Sequence, residues 1–229
     1  MTRSAAATCW SRSAHPTSSI QKELCCVSEM VKERSALALE LRPGTFGKAA
    51  AEPGLIAVEI TGVSLASVLA FKGREPDVAA LVREKLGLDL PQAGKFVTDG
   101  AVSISWTGPG QWLVAIADMP AGRIEGHLGF LSGVAALSEQ SDARGMVQLS
   151  GPRVRDVLAK GVMLDLHPRA FQTGDVAQTP IGGIGVQIAQ IDDAPTYEIS
   201  FARSFAGSIV HWLAESASEF GYRVDPARG

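Results

Sequence analysis

The fold is set out in the stretch Val147-Gln-Leu-Ser-Gly151-Pro-Arg-Val-Arg-Asp-Val157-Leu158-Ala159. The alternating apolar residues before Gly151 predict a short strand with one buried face. Pro152 follows the glycine, at a position where the first turn of a helix tolerates a residue that has no N–H group. The stretch therefore predicts a strand, a turn and a helix in succession.

A similar stretch occurs earlier, at Val58-Glu-Ile-Thr-Gly62-Val-Ser-Leu-Ala-Ser-Val68-Leu69-Ala70. Two further matching blocks follow, Leu88-Asp-Leu-Pro91 and Leu164-Asp-Leu-His-Pro168. The offset between the copies falls from 89 residues at the first block to 76 at the second, which predicts an insertion of 13 residues in the charged, helical stretch 76–86. Internal repetition predicts two copies of one supersecondary unit, each beginning with a strand and a helix.

Strands are predicted after the second block of each copy. The segments 101–106 and 111–116 flank Thr107-Gly-Pro-Gly110, a sequence typical of a hairpin turn. In the later copy, the segments 176–181, 184–191 and 196–201 are separated by short Gly-Gly and Asp-Asp turns.

The clearest helix lies near the C-terminus. Ile209 and Leu213 recur on one of its faces, Ser204 is a potential N-cap and Gly221 a terminator. Together the patterns predict an α+β fold of two repeated strand–helix–strand–strand units, with antiparallel sheets and helices packed on one face.

The domain organisation predicted from these patterns has three parts. Residues 1–34 form a poorly ordered N-terminal extension, and residues 35–221 form one domain of two intertwined repeats, at about 55–135 and 136–221. Residues 222–229 form a tail. The segment before Met30 is rich in Ser, Ala and Arg, so a functional leader remains an alternative to an extension or to an artefact of the start site.

Composition narrows the class of protein. The formal net charge is −3, and no basic stripe is interleaved with aromatic residues, which argues against a nucleic-acid partner. No apolar run reaches the about 20 residues that span a bilayer. All three cysteines precede Met30, in a spacing that matches no zinc site, and the rest of the chain contains none. We therefore expect a cytoplasmic protein with no membrane or nucleic-acid partner.

Motifs for catalysis and cofactor binding are missing from the sequence. Gly182-Gly-Ile-Gly185 lacks the third glycine and the following helix of a dinucleotide loop, and the Gly-Lys pairs at 47–48 and 94–95 lack the rest of a P-loop. No Gly-x-Ser-x-Gly elbow is present, and the four histidines share no ligand spacing. We expect no catalytic, cofactor-binding or metal-binding residue in this chain.

Aromatic and basic residues provide the candidate partner interface. Trp106 and Trp112 bracket the predicted hairpin turn, together with Pro109 and Gln111. Large apolar groups at a hairpin tip often serve as anchors for a partner, although packing on the chain's own helices explains them equally well. Arginine is favoured at interfaces, so two arginines near the second repeat are further candidates for the partner interface. The alternative is that they lie on a solvated face. The arginines are Arg144 and Arg153.

Several segments taken together resemble the gamma subunit of heterotetrameric sarcosine oxidase. The segments are Trp106-Thr-Gly-Pro-Gly-Gln-Trp112-Leu-Val, Ser138-Glu-Gln-Ser-Asp-Ala-Arg144, Leu149-Ser-Gly-Pro-Arg153, Val157-Leu-Ala-Lys-Gly161, Leu164-Asp-Leu-His-Pro168 and Phe201-Ala-Arg-Ser-Phe205. The resemblance covers about residues 35–221. That family is similar in turn to the glycine-cleavage T-protein superfamily, so the resemblance implies a fold like the first part of the T-protein.

The resemblance implies a role in sarcosine catabolism and one-carbon metabolism. The complex oxidises sarcosine to glycine and hydrogen peroxide, and its one-carbon unit passes to folate or leaves as formaldehyde. FAD, FMN, NAD and tetrahydrofolate are expected in the partner subunits alpha, beta and delta. Longer folate-binding relatives keep a Lys-Gly-x-Tyr-x-Gly-Gln-Glu-like string that is missing here. The chain is then a non-catalytic subunit; the alternatives are a free-standing folate-binding aminomethyltransferase-like protein and a generic adaptor.

Overall fold

Twelve strands form two sheets within residues 34–49 and 51–229, the part of the chain that the computed structural model describes. The strands are β1 (Gly44–Phe46), β2 (Leu55–Ile60), β3 (Val63–Ala70), β4 (Phe96–Thr98), β5 (Val102–Gly108), β6 (Gln111–Ala117), β7 (Ala135–Glu139), β8 (Arg144–Ser150), β9 (Val176–Ile181), β10 (Ile184–Asp192), β11 (Thr196–Ala202) and β12 (Tyr222–Arg228). The helices are α1 (Glu75–Leu86), α2 (Ile124–His127), α3 (Val154–Leu158) and α4 (Ala206–Ala217). Single 3₁₀ turns lie at Gly129–Leu131, Arg203–Phe205 and Ser218–Phe220. The extension predicted for residues 1–34 falls outside the described residues except for Arg34.

The seven-stranded sheet combines strands from both ends of the chain, in the order β1-β12-β2-β8-β11-β10-β9. All neighbours are antiparallel except β12 and β2, which run parallel. The five-stranded sheet is built from a continuous part of the chain, in the order β4-β5-β6-β3-β7, and is wholly antiparallel. The prediction of an α+β fold with antiparallel sheets is therefore confirmed.

Each sheet buries one face under helices. Helices α3 and α4 cover the seven-stranded sheet with apolar residues that include Val157, Leu158, Ile209 and Leu213. Helices α1 and α2 cover the five-stranded sheet in the same way. We call these the helix-covered faces. The opposite faces meet at a small cluster of three buried residues, Leu65, Leu113 and Met146.

The edges of the two sheets are joined at β4 and β9. Lys95, just before β4, forms an ion pair with Asp175, just before β9. Two backbone hydrogen bonds reinforce the junction, from the N–H of Phe96 to the carbonyl of Gly174 (3.0 Å) and from the N–H of Val176 to the carbonyl of Gly94 (2.9 Å). Residues 63–139 supply the five-stranded sheet, and the segments on both sides of them supply the seven-stranded sheet. The boundary predicted between the repeats, at about 135–136, falls inside β7.

The predicted repeat is wrong in its first copy. The later block forms β8 and α3 as predicted, but the earlier block forms β2 and a second strand, β3, where a helix was expected. Gly62 reverses the chain with a φ of +68°, and β3 then pairs on both sides, with β6 and β7. Two ladders of backbone hydrogen bonds outweigh the weak helical preference of a Ser-, Ala- and Leu-rich segment. The insertion predicted at 76–86 does coincide with a helix, α1.

The tail predicted for residues 222–229 is also wrong. These residues form β12, which lies inside the seven-stranded sheet between β1 and β2. Gly221 redirects the chain after α4 with a φ of +68°, and Val224 is then buried in the main core. In the described part of the chain, no helix is long and apolar enough to cross a membrane.

Candidate functional site

The hairpin that carries the two tryptophans is formed by β5 and β6, as predicted. Trp106 and Trp112 lie directly opposite each other, and Gly108 pairs with Gln111 across the turn. Gly110 has a φ of +67°, which suits the second central position of a turn whose first central residue is Pro109. The local sequence therefore fixes both the turn and the cross-strand aromatic pair.

Trp112 is a core residue, which corrects its assignment to the partner interface. Its side chain is only 7% exposed and packs on the helix-covered face of the five-stranded sheet. Trp106 is half-buried and packs against the same cluster. Both rings point to this face because residues 106 and 112 are directly opposite, and opposite residues share a face. The alternative, packing on the chain's own helices, therefore describes the pair.

The exposed part of the hairpin is its tip. Pro109 and Gln111 are exposed, and Gln111 lies opposite Leu69 of β3 on the face turned away from the helices. Leu69 is 46% exposed and Phe71 is 45% exposed. We call Leu69, Phe71, Pro109 and Gln111 the hairpin-tip surface. It combines two large apolar side chains with two residues from the sequence prediction.

Arg144 has a half-buried guanidinium group without a carboxylate partner in the described chain. Its Nη1 donates a hydrogen bond to Oγ of Ser200 (3.3 Å), while its buried Nε has no hydrogen-bond partner. Desolvation lowers the pKa of the Arg144 guanidinium, although arginine stays charged at any physiological pH. A buried donor on a charged group costs free energy unless it is paired. The site is therefore complementary to a carboxylate.

Arg153 differs from Arg144 because its charge is already compensated. Its Nε donates to Oδ2 of Asp156 (2.6 Å), and its guanidinium carbon lies 4.5 Å from the centre of the Phe220 ring. Lys160 lies over the same ring, 4.7 Å from its centre. Arg153 is exposed, yet these contacts hold it against its own chain. The structure brings together neither Arg153 and Arg144 nor Arg153 and the hairpin tip.

One polar cleft was missed by the sequence analysis. Arg155, from the predicted helix of the second repeat, and Asp193, from the predicted Asp-Asp turn, line it together with Gln190. Arg155 lies far from the other two residues in the sequence and shares no motif with them, so only the fold reveals that the three meet. Among the described residues, no group of three or more His, Cys, Asp and Glu side chains is placed to hold a metal ion.

Comparisons with known proteins agree on one family. The profile of the sarcosine oxidase, gamma subunit family matches residues 72–219. The gamma subunit of sarcosine oxidase from Corynebacterium sp. (strain U-96) is 33% identical over 138 residues, which are 58% of this chain and 66% of the relative. The gamma subunit from Corynebacterium sp. (strain P-1) is 33% identical over 150 residues, covering 62% of this chain and 70% of the relative.

Solved structures support the same assignment. A chain of the heterotetrameric sarcosine oxidase from Corynebacterium sp. U-96 superposes with a TM-score of 0.67 at 27% identity, over 82% of this chain and 96% of that chain. The glycine cleavage system aminomethyltransferase T from Bartonella henselae superposes with a TM-score of 0.53 at 13% identity, over 76% of this chain and 48% of that chain, which shows a shared fold alone. The chain belongs to the sarcosine oxidase gamma subunit family.

Proposed function

We propose that the chain acts as a non-catalytic subunit that docks on the alpha, beta and delta subunits of a cytoplasmic sarcosine oxidase. The assembly converts sarcosine to glycine and hydrogen peroxide and passes the one-carbon unit to folate or releases it as formaldehyde. FAD, FMN, NAD and tetrahydrofolate belong to the partner subunits. Membership of the gamma subunit family supports this role.

The observation that carries the proposal is the uncompensated charge of Arg144. Its guanidinium is half-buried at the start of β8, and its Nε is enclosed without an acceptor. Nε lies out of a partner's reach, but the side chain is partly exposed, so a carboxylate from a partner subunit would bind the terminal nitrogens of the guanidinium and neutralise the charge. Arginine is also enriched at protein interfaces. We therefore assign Arg144 as a docking residue.

The hairpin-tip surface supplies a second contact of different chemistry. Leu69 and Phe71 are large apolar side chains that remain exposed, and Pro109 and Gln111 extend the same edge. Burying exposed apolar area against a partner contributes roughly 25 cal/mol per Å². The two contacts together describe a subunit that binds through one charged and one apolar region.

The test is co-expression of the four subunits with Arg144→Gln in this chain. Size-exclusion chromatography measures assembly, and sarcosine-dependent peroxide production measures activity. We expect assembly to weaken by at least about tenfold, equal to roughly 1.4 kcal/mol, because a partner carboxylate is left unpaired. The matched control is Arg169→Gln, which removes the same charge from an exposed residue.

Three outcomes contradict the proposal in different ways. Normal assembly of Arg144→Gln removes Arg144 from the interface and leaves the hairpin tip to be tested by Phe71→Ser. Folate binding with aminomethyl transfer by the chain alone would favour the free-standing aminomethyltransferase-like enzyme. Failure of the unmodified chain to bind the alpha, beta and delta subunits would favour an adaptor with other partners.

A further inference from the structure

A polar cleft of about 410 Å³ lies beside α3 and the end of β10. This volume is at the lower end of the range for small-molecule sites, about 300–1,000 Å³. Its lining residues carry one cation, one anion, two amides, one hydroxyl and one proline. They are Arg155, Asp193, Gln172, Gln190, Thr173 and Pro168. The cleft is separate from Arg144 and from the hairpin-tip surface, whose residues do not line it.

Arg155, the cation of the cleft, is held by a hydrogen bond to a core residue. Nε of Arg155 donates a hydrogen bond to the phenol oxygen of Tyr197 (3.0 Å), and Tyr197 is 0% exposed in the main core. This bond anchors Nε, and among the described residues neither terminal nitrogen forms a hydrogen bond. No carboxylate in the described part of the chain forms an ion pair with Arg155. The terminal nitrogens are therefore donors available to a ligand in the cleft.

The acceptors of the cleft are a carboxylate and an amide. Oδ1 of Asp193 accepts a hydrogen bond from Oγ1 of Thr173 (2.7 Å), and no described cation forms an ion pair with Asp193. Gln190 is only 2% exposed, and its Nε2 donates to the carbonyl of Asp192 (3.0 Å). Its Oε1 is buried and has no hydrogen-bond partner among the described residues. A buried acceptor without a donor is unusual in a native protein, and its partial negative charge makes this wall of the cleft favourable for a cation.

We propose that this cleft binds a free amino acid in its zwitterionic form. The amino acid's carboxylate is recognised by Arg155, whose guanidinium matches a carboxylate in a planar, bidentate way. Its ammonium group pairs with the exposed carboxylate of Asp193, which lines the same cleft. An unpaired cation and an unpaired anion that line one cleft are complementary to a ligand that carries both charges. The site belongs to this chain alone and is independent of the assembly proposed above.

The test is titration of the full-length chain with glycine, followed by calorimetry and by NMR of backbone and side-chain amides. Acetate and methylammonium serve as probes that carry only one of the two charges. We expect saturable shifts at Thr173, Gln190 and Asp193 with glycine, and binding at least about tenfold weaker for either one-sided probe, since each loses a charge-assisted contact.

Two variants separate ligand binding from folding. Asp193→Asn removes the anion at an exposed position, so the chain should stay folded by circular dichroism while glycine binding weakens at least about tenfold. Arg155→Lys keeps the charge but loses the planar guanidinium group that can bind a carboxylate through two nitrogens, and we expect a similar loss of glycine binding. The matched control Glu52→Gln, at an exposed residue outside the cleft, should bind glycine normally. Equal, non-saturating shifts with all three probes, or equal binding by Asp193→Asn and Glu52→Gln, would overturn the proposal.

Discussion

The two faces of the seven-stranded sheet differ along a single strand. On β11, Tyr197, Ile199 and Phe201 lie on the helix-covered face and belong to the main apolar core. Between them, Glu198 and Ser200 lie on the opposite face, which is polar but still largely removed from solvent. The period of two along a strand assigns each residue to one of these environments.

The five-stranded sheet repeats the contrast at its hairpin. Trp112 lies on the helix-covered face, while its neighbour Gln111 lies on the opposite face and is exposed. The apolar faces are completed by the chain's own helices, which enclose their apolar side chains and also a few polar atoms such as Nε1 of Trp112. The opposite faces carry an uncompensated charge at Arg144 and an exposed apolar side chain at Leu69. Under the proposed function, we therefore expect partner contacts on the opposite faces.

Trp112→Ala is the strongest test of the difference between the helix-covered and the opposite faces. We expect the free energy of unfolding to fall by about 3–5 kcal/mol, the usual cost of deleting a buried aromatic side chain. Its neighbour Gln111→Ala should stay within about 0.5 kcal/mol of the parent, because an exposed side chain is lost. Chemical denaturation of the two variants measures both values.

Trp112→Phe sharpens the same experiment. The indole Nε1 of Trp112 is buried and finds no hydrogen-bond acceptor in the part of the chain that the structure describes, and phenylalanine removes that donor while it keeps an aromatic ring in place. The cost should therefore be much smaller than for alanine, because an unsatisfied donor is worth about 1–3 kcal/mol against the fold. A stable Trp112→Ala variant that fails to assemble would instead restore Trp112 to the interface.

Local patterns made part of this structure predictable from the sequence. The hairpin turn follows from Gly108-Pro109-Gly110, and α4 follows from the period of its apolar residues. Burial was less predictable at the hairpin, because a tryptophan pair at a tip is equally consistent with anchoring and with packing. The position of the helices that cover the pair decides between the two, and that position depends on distant parts of the chain.

Elsewhere, pairing with strands from distant parts of the chain outweighed the local sequence pattern. The segment that forms β3 has residues compatible with a helix, and its state is set by pairing with β6 and β7. Similarly, β12 contains charged residues and Pro226, and it forms a strand because two neighbouring strands accept it. The cleft joins α3, the turn around Thr173 and the end of β10, so no local motif could reveal it.

A smaller effect is expected from a methyl group added to the helix-covered face. A Cβ at Gly145 would lie 2.8 Å from the Phe201 ring and 3.0 Å from Cβ of Ala36. We expect Gly145→Ala to lower the free energy of unfolding by about 1–3 kcal/mol, the usual cost of overpacking. The control is Gly185→Ala on β10, where a Cβ would meet no atom within 4 Å. Equal stabilities of the two variants would show that this part of the core is loosely packed.

The smallest effect concerns the pH dependence of stability through Glu198, on the opposite face. Burial raises the pKa of the Glu198 carboxyl above its ordinary value of 4.5, and the charge of Arg228 opposes this shift only in part. A carboxyl with a raised folded-state pKa binds its proton more tightly in the folded chain. Its contribution to stability is therefore fully present below pH 4.5 and is lost as the pH rises through the folded-state pKa.

Glu198→Gln keeps the shape without the charge, so it should match the parent in acid and be more stable than the parent at about pH 7. Denaturation midpoints across this range, with Glu52→Gln as the exposed control, measure the difference. If the parent gains stability over Glu198→Gln as the pH rises, the carboxylate is satisfied on this face, and the contrast between the two faces does not extend to Glu198.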